Sequence, residues 1–400
     1  MPPTTSVTAE PIAQAPTVRI MSIDALRGFD MFWLIGGKYV ALSLAAILPL
    51  AVPQWLGDMV MPATTVAPAL TSPSPVPEWF RLTMAHTHWG GFSFWDLIMP
   101  LFLFIVGAAM PFSFERAIEL GASKRSSYRR MARRFVLLWV LGMIVQGNLL
   151  QFDLSKLKVF SNVLQTIACG YVVTGLVLLH VPRKFHGWIT AGLLIGYWLT
   201  MALIPVPGVG VGVMEENGNL AAWIDHAILD PYHYGSRHTW ILSIMSFSAS
   251  VMLGMHAGQL LKSQLLPRRK LLWLVAAGMA SLALGWVWSF WFPIIKPLNS
   301  SSYVLWSGGW CLLLLALFYG AIDVLGWRGW AFPFVVIGSN SLFAYVITHL
   351  FSFSPMARAL VGGLARHVAP FGPLLHSVAV VALVWLILYY MYRKKTFLRV

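Results

Sequence analysis

Charged side chains and cysteine are what this 400-residue sequence has least of. Asp, Glu, Lys and Arg together make up 10% of it, only 14 residues are acidic, and there are two cysteines. So little charge excludes an ordinary soluble globular domain, in which about a quarter of residues are charged. The cysteines, Cys169 and Cys311, each lie inside an apolar run, which excludes a disulfide framework or a thiolate metal site and leaves them as small hydrophobes. A secretory signal is also missing. Residues 1–18 are rich in Pro, Thr and Ala without a basic start or an apolar core, and read as a disordered cytoplasmic tail. No internal repeat of the kind found in inverted-repeat transporters is visible.

Hydrophobic residues fill the space that charge leaves. They make up 58% of the chain, at a mean hydropathy of +0.72. Apolar runs of about 20 residues, enough to cross a ~30 Å hydrocarbon core, recur between short loops. The sequence therefore predicts an all-α, polytopic membrane bundle in residues 19–400, with no separate soluble domain. Ten spans are expected, near 24–48, 93–113, 132–152, 160–181, 187–206, 238–261, 271–292, 303–325, 330–350 and 374–392. Residues 351–373, broken by Gly and Pro, read as an external hairpin or re-entrant piece, or else as an eleventh crossing.

The net charge of +14 has a topological reading. With both termini in the cytoplasm, the inside receives Arg19 and Arg27, seven cations in 116–134, Arg183 and Lys184, four in 262–270, Arg328 and four in the tail. That is twenty of the 28 Lys and Arg against eight outside, the expected positive-inside bias. Anionic lipid headgroups are natural partners for it, and nucleic acid is not. Two long loops then fall outside, 49–90 and 207–236.

Ionisable residues inside spans cost roughly 2.5–3.5 kcal/mol each on insertion scales, so each needs a partner or a purpose. The stretch "TMAHTHWGGFSFWDLIMPLFLFIVG" at 83–107 places His86 and His88 at the mouth of the second span and Asp96 inside it. At similar depth the threading brings Asn162 and Gln165 of the fourth span, Arg237 and His238 before the sixth, and Asn340 and His349 of the ninth. An outward-facing polar cluster is expected from these residues. At the inner end, Asp24, Arg27 and Asp30 recur every three residues, so that adjacent pairs share a helical face. Near them by topology lie Arg125, Arg129, Arg130, Arg133 and Arg134, spaced to grip a polyanion such as a nucleotide phosphate. Each feature also has a plainer use. Asp24 and Arg27 can form an ion pair, the arginine run can act as a topology signal, Asp96 can anchor helices, and His349 can sit at the interface. No metal is implied, because the histidines lack a ligand spacing.

The motifs "SIDALRGFDMFWLIGG", "HTHWGGFSFWDLIMPLFLFIVG", "NVLQTIACGY", "VMLGMHAG" and "GSNSLFAYV", in this order, resemble the heparan-α-glucosaminide N-acetyltransferase family with its bacterial relatives, over most of residues 20–350. The resemblance implies a transmembrane acetyltransferase of a bacterial inner membrane, taking acetyl-CoA from the cytosol and acetylating an amino sugar on the far side. The family's catalytic histidine falls on His86, which would act as general base or as an acetyl carrier through an acetyl-histidine intermediate. Arg27, Arg129, Arg130, Arg133 and Arg134 would then hold the CoA phosphates, and the thioester would reach toward His86. Asp96 is expected to orient the imidazole. Asn340, Gln165 or the amides near Gly90 and Gly91 would serve as oxyanion donors, and His88, Trp89, Asn162, Gln165, Asn340 and His349 would line the substrate site. Two departures bear on the acceptor. Lys38 or a neighbour stands where an asparagine of the animal enzyme is expected, and "YHYGSRHTW" replaces an acidic entry before the sixth span. A glucosamine-type sugar is the expected acceptor and a homodimer the expected assembly. The competing readings are a sugar or amino-sugar secondary transporter, an O-acyltransferase acting on surface polysaccharide, and a structural scaffold.

Overall fold

The computed structural model describes residues 20–47, 76–119, 121, 123–232 and 238–398. The expected tail at 1–18, residues 49–75 of the first external loop and Arg237 lie outside the described residues. All regular elements described are helical. In chain order they are α1 (Met21–Phe32), α2 (Lys38–Ile47), α3 (Glu78–Thr83), α4 (Ile98–Glu119), α5 (Lys124–Val145), α6 (Val163–His180) and α7 (His186–Leu203). Then follow α8 (Leu220–Leu229), α9 (Ile244–Lys262), α10 (Pro267–Trp288), α11 (Ser301–Tyr319), α12 (Phe332–Ser339), α13 (Ser341–Leu350), α14 (Ser354–His367) and α15 (Gly372–Arg393).

Among the described residues, seven helices are long and apolar enough to cross a membrane. The number is eight if α12 and α13, which meet at a 66° bend, count as one broken span. The chain is thus a polytopic membrane helical protein. The ten-span expectation exceeds that number at two places. The segments 132–152 and 187–206 are helical, as α5 and α7, but α5 carries six Lys and Arg in its first eleven residues and α7 interleaves His186, two Thr and three Gly with its apolar residues. Residues 351–373 form α14, whose 14 residues rise only about 21 Å at 1.5 Å per residue, short of the ~30 Å core.

The centre of the bundle is α4, whose residues 98–112 are apolar all round, as a buried helix requires. Leu103, Met110 and Phe114 enter one core cluster, with Met31 of α1, Tyr171 of α6 and Val251 of α9. Leu101, Phe104, Ile105 and Ala108 enter a second, with Leu26 of α1 and Cys311 and Leu315 of α11. Against α4 lies α9, and the two touch backbone to backbone. A Cβ on Gly107 would sit 1.8 Å from the Val251 carbonyl oxygen, and one on Gly254 1.9 Å from that of Phe104. Small residues at a crossing let membrane helices approach this closely. Gly254→Val is therefore expected to force α9 off α4 and to cost about 3 kcal/mol or more, read as a lowered unfolding temperature in detergent, whereas the same change at Gly187, where a Cβ meets nothing within 4 Å, should be tolerated.

Two interruptions place the site. Between α1 and α2 a π-helical turn, Trp33–Gly37, contains Gly36 at φ +146°, a conformation that disfavours any side chain, and it redirects the chain so that Lys38 turns toward the loop ahead of α4. Between α10 and α11, the helix expected to reach residue 292 ends at Trp288. The non-helical stretch 289–300 folds back into the protein, burying Phe292, Ile295 and Leu298.

Candidate active site

Asp96 lies in the short 3-10 turn Phe94–Leu97 that opens α4. Ser93 caps this turn: its hydroxyl accepts the Asp96 N–H, and the Ser93 N–H donates to the Asp96 carboxylate. A carboxylate also suits a helix amino end, where unpaired N–H groups concentrate. Asp96 is fully buried. Its Oδ2 receives the Thr87 N–H at 3.3 Å, the Thr87 hydroxyl at 3.0 Å and the Ser93 N–H at 3.1 Å. The Ser93 hydroxyl, 2.9 Å from Oδ2 and 2.6 Å from the Ala85 carbonyl, has one proton to share between them. So many donors on one oxygen fit an ionised carboxylate.

The other oxygen carries the chemistry. Oδ1 lies 2.8 Å from His86 Nδ1 and 2.9 Å from Lys296 Nζ, and Nζ is 2.7 Å from the same Nδ1. The His86 side chain is 57% exposed, and that of Lys296 only 8%. These three atoms cannot form three linear hydrogen bonds at once. Nδ1 has one in-plane position, so it either donates to Asp96 or accepts from Lys296. The first choice leaves a lone pair on the Nε2 nitrogen, and the second puts the proton there. Lys296 thereby controls which nitrogen of His86 is basic. Burial lowers the Lys296 ammonium from its ordinary value, and the Asp96 carboxylate opposes that.

Lys296 reaches the site through its loop. Gly91 N–H donates to the Ile294 carbonyl at 2.9 Å, and Gly90 bridges Ile295, so the glycines of the entry motif fasten the 289–300 loop beside His86. Of the two amides named as oxyanion donors, that of Gly91 is engaged in this way. Thr239 N–H donates to the Pro297 carbonyl at 3.0 Å, bringing His238 to the same place. Burial, then the charges of Lys296 and His86, hold the His238 imidazole down at about 4, so it is neutral near pH 7. This segment is pinned from α8 by the buried Asp225 carboxylate, which accepts the Trp240 and Ile241 N–H groups at 2.6 and 2.9 Å. Burial pushes Asp225 up to about 6 against those two bonds. Lys38 stands 4.5 Å over the Trp95 ring, which is 6.2 Å from the His86 ring. Asp96 and Lys296 thus contact one half-open imidazole, with Trp95 and His238 close by and Lys38 over the Trp95 ring.

The remaining expected residues occupy other places. Trp89 Nε1 donates to the Met214 carbonyl at 2.9 Å, and His88 Nδ1 is 3.9 Å from Glu216 Oε2, so both hold the 207–219 loop over the entry. Asn162 and Gln165 form the capping box of α6: Asn162 Oδ1 accepts the Leu164 N–H, and Gln165 Oε1 accepts those of Ser161 and Asn162. The Tyr345 hydroxyl donates to Asn162 Oδ1 at 3.3 Å, and His349 packs on the Tyr345 ring at 4.2 Å. These three residues make a second polar network with Tyr345. Asn340, at the bend between α12 and α13, donates to the Thr396 carbonyl and accepts the Leu398 N–H, which fastens the tail beyond α15. Arg27 lies 3.6 Å from Asp24, one turn away on α1. Arg129, Arg130 and Arg133 are exposed on the first turns of α5, and the Arg130 and Arg134 guanidinium groups stack over Phe114 and Tyr171 at 5.2 and 4.3 Å.

Lys296 is the residue that sequence reasoning missed. Its only signal was a lone cation in "FPIIKPLNSSS", between two prolines and two spans, where an apolar loop gains nothing from a charge.

No family model matches the chain. It is similar to heparan-alpha-glucosaminide N-acetyltransferase of Homo sapiens, at 27% identity over 373 residues, covering 79% of this chain and 55% of that protein. The enzyme of the same name from Mus musculus is 26% identical over 376 residues, covering 79% of this chain and 56% of that one. The chain thus spans about half the length of the curated relatives it matches. Over 79% of its length the chain is thus distantly homologous to heparan-alpha-glucosaminide N-acetyltransferase.

Proposed function

We propose that the chain is a transmembrane N-acetyltransferase that moves the acetyl group of cytosolic acetyl-CoA to the amine of a glucosamine-type sugar on the opposite side of a bacterial inner membrane. The observation that carries this reading is the triangle of His86, Asp96 and Lys296, with the imidazole half open and its two partners buried. An uncharged imidazole that can take a proton near pH 7 is what amine acylation needs.

In the productive state His86 donates Nδ1–H to Asp96 and presents the Nε2 lone pair. Acetyl-CoA supplies the acetyl group as a thioester. The neutral sugar amine attacks the carbonyl carbon, the C–N bond forms as the C–S bond breaks, and His86 Nε2 takes the proton the amine sheds. Asp96 stabilises the imidazolium, which is reset when Nε2 gives that proton to the departing CoA thiolate, while Lys296 stays bonded to Asp96. Lys296, bonded to Asp96, and the neutral His238 imidazole are polar groups close to the reacting centre. They support this site as the place of transfer, in preference to the Asn162–Tyr345–His349 network, whose groups pair among themselves.

At the cytosolic end Arg129, Arg130, Arg133 and Arg134 fit the phosphates of CoA. Three of them are exposed in the second and third turns of α5, where their planar forks suit phosphate oxygens. Arg27, already facing Asp24, contributes less. Changing the four to Gln is expected to weaken CoA affinity about tenfold or more, equivalent to about 1.4 kcal/mol, measured by equilibrium binding to purified protein. Unchanged affinity would return the run to a topological role.

The test of the activity is transfer by detergent-purified protein given labelled acetyl-CoA and glucosamine. Label on the sugar nitrogen is expected. Label on a hydroxyl would make the protein an O-acyltransferase, and absence of both CoA binding and transfer would favour the transporter.

A further inference from the structure

The basic residues of the carboxyl-terminal hairpin have no part in the site above. Between α14 and α15 lies an open cleft of about 420 Å³ whose lining includes Arg358, Gly362 and Arg366 of α14 and Gly372 and His376 of α15. We propose that this cleft binds the phosphate of an anionic phospholipid headgroup.

Charge is the first ground. The sequence contains no Asp or Glu after Asp323, so neither helix of the hairpin can supply a carboxylate. Among the described residues, the other elements packed most closely against α15, namely α2, the turn Trp33–Gly37 and α12, carry none either. Arg366 Nε donates to the Gly362 carbonyl at 3.3 Å, which leaves its terminal nitrogens free to pair. Arg358 makes no hydrogen bond or ion pair among the described residues. Two unneutralised guanidinium groups on one flank of a helix, eight residues apart, present the planar forks that suit phosphate oxygens.

Depth is the second ground. The span α15 has 22 residues, about 33 Å of helix against a hydrocarbon core of ~30 Å. Its first turn, which lines the cleft, therefore lies at the boundary where lipid phosphates are found. The third ground is the shape of α14. Met356, Leu360 and Leu364 recur every four residues and are all exposed, forming a stripe on the flank away from the arginines. A helix with an apolar stripe and a basic flank lies in the interface with the basic flank toward the headgroups. Gly362 keeps the cleft open between the two arginines, since a Cβ there would touch only Arg358 Cγ, at 3.4 Å. A basic pocket between membrane helices is a recognised form of headgroup site.

The experiment is native mass spectrometry of the full-length protein in detergent, with phosphatidylglycerol, with phosphatidylcholine, and with phosphatidylglycerol plus inorganic phosphate. Wild type is expected to retain phosphatidylglycerol roughly tenfold or more over phosphatidylcholine. R358Q/R366Q and the cleft-filling G362L should lose that preference while staying monodisperse by size exclusion, and R358K/R366K should keep part of it. Retention that resists inorganic phosphate supports the lipid as the source. Displacement by phosphate, together with stabilisation by phosphate alone, would keep the anion site but overturn the lipid assignment. Equal retention of phosphatidylglycerol by wild type, R358Q/R366Q and G362L would overturn the proposal altogether.

Discussion

Replacing His86 by alanine is expected to lower acetyl transfer by about 10²–10⁴-fold, the usual contribution of a positioned acid–base group, while the protein inserts and purifies as wild type does. The stability change should be small, within about 1 kcal/mol, because the ring is half exposed and the Asp96–Lys296 pair, 2.9 Å apart, survives its removal. His86→Gln keeps a hydrogen-bonding side chain without an acid–base function and should be as inactive. Turnover near the wild-type rate in either variant would remove His86 from the chemistry. A loss confined to KM with kcat intact would make it a binding residue.

The second large effect is expected at the buried ion pair. Asp96→Asn leaves the Lys296 ammonium without its counterion, and Lys296→Met leaves the Asp96 carboxylate without its cation; breaking a buried pair from one side costs about 3–5 kcal/mol. Removing both charges together removes the unpaired charge as well, so the double variant should be markedly less destabilised than the sum of the singles. Unfolding in detergent measures all three. Additive losses would mean that the pair does not interact as its geometry states. The activities should separate the roles further. Asp96→Asn should lose most of kcat because the imidazole loses its orienting acceptor, whereas Lys296→Met, which leaves Nδ1 bonded to Asp96, should keep more of it and show an altered pH profile.

Much of this site was readable before the fold. A carboxylate ten residues after a histidine, at the mouth of an apolar run, marked His86 and Asp96, and the structure joins them at 2.8 Å. Lys296 was hidden because its partner lies 200 positions away and only the fold-back of 289–300 brings them together. That fold-back was hidden in turn, since "FWFPII" is as apolar as a span end and hydropathy alone does not distinguish a buried loop from a helix. The Asn162 and Gln165 reading went the other way. The spacing Asn-x-x-Gln ahead of an apolar run is a capping-box pattern, and polar residues at a helix start find backbone partners before any ligand. Asn340 had no local signal for its bond to the tail 56 residues later. The ten-span reading goes beyond the seven or eight helices that are long and apolar enough to cross at α5 and α7, where a basic or small-residue half accompanies the apolar half of a 20-residue window.

The distant relatives extend well beyond the stretch this chain matches, so the division of labour between the bundle and the rest of those proteins is a matter for this chain's own chemistry. What the bundle supplies is a half-open imidazole on a buried ion pair at one end and an arginine cluster on α5 apart from it.

The most direct measurement uses sealed proteoliposomes with glucosamine trapped inside and labelled acetyl-CoA outside, sorted for protein facing its arginine run outward. Label is expected to accumulate on the nitrogen of the lumenal sugar, with CoA remaining outside and none accumulating in His86→Ala vesicles. Label found only on sugar added to the outside, or label transferred equally by His86→Ala, would contradict transmembrane transfer through His86.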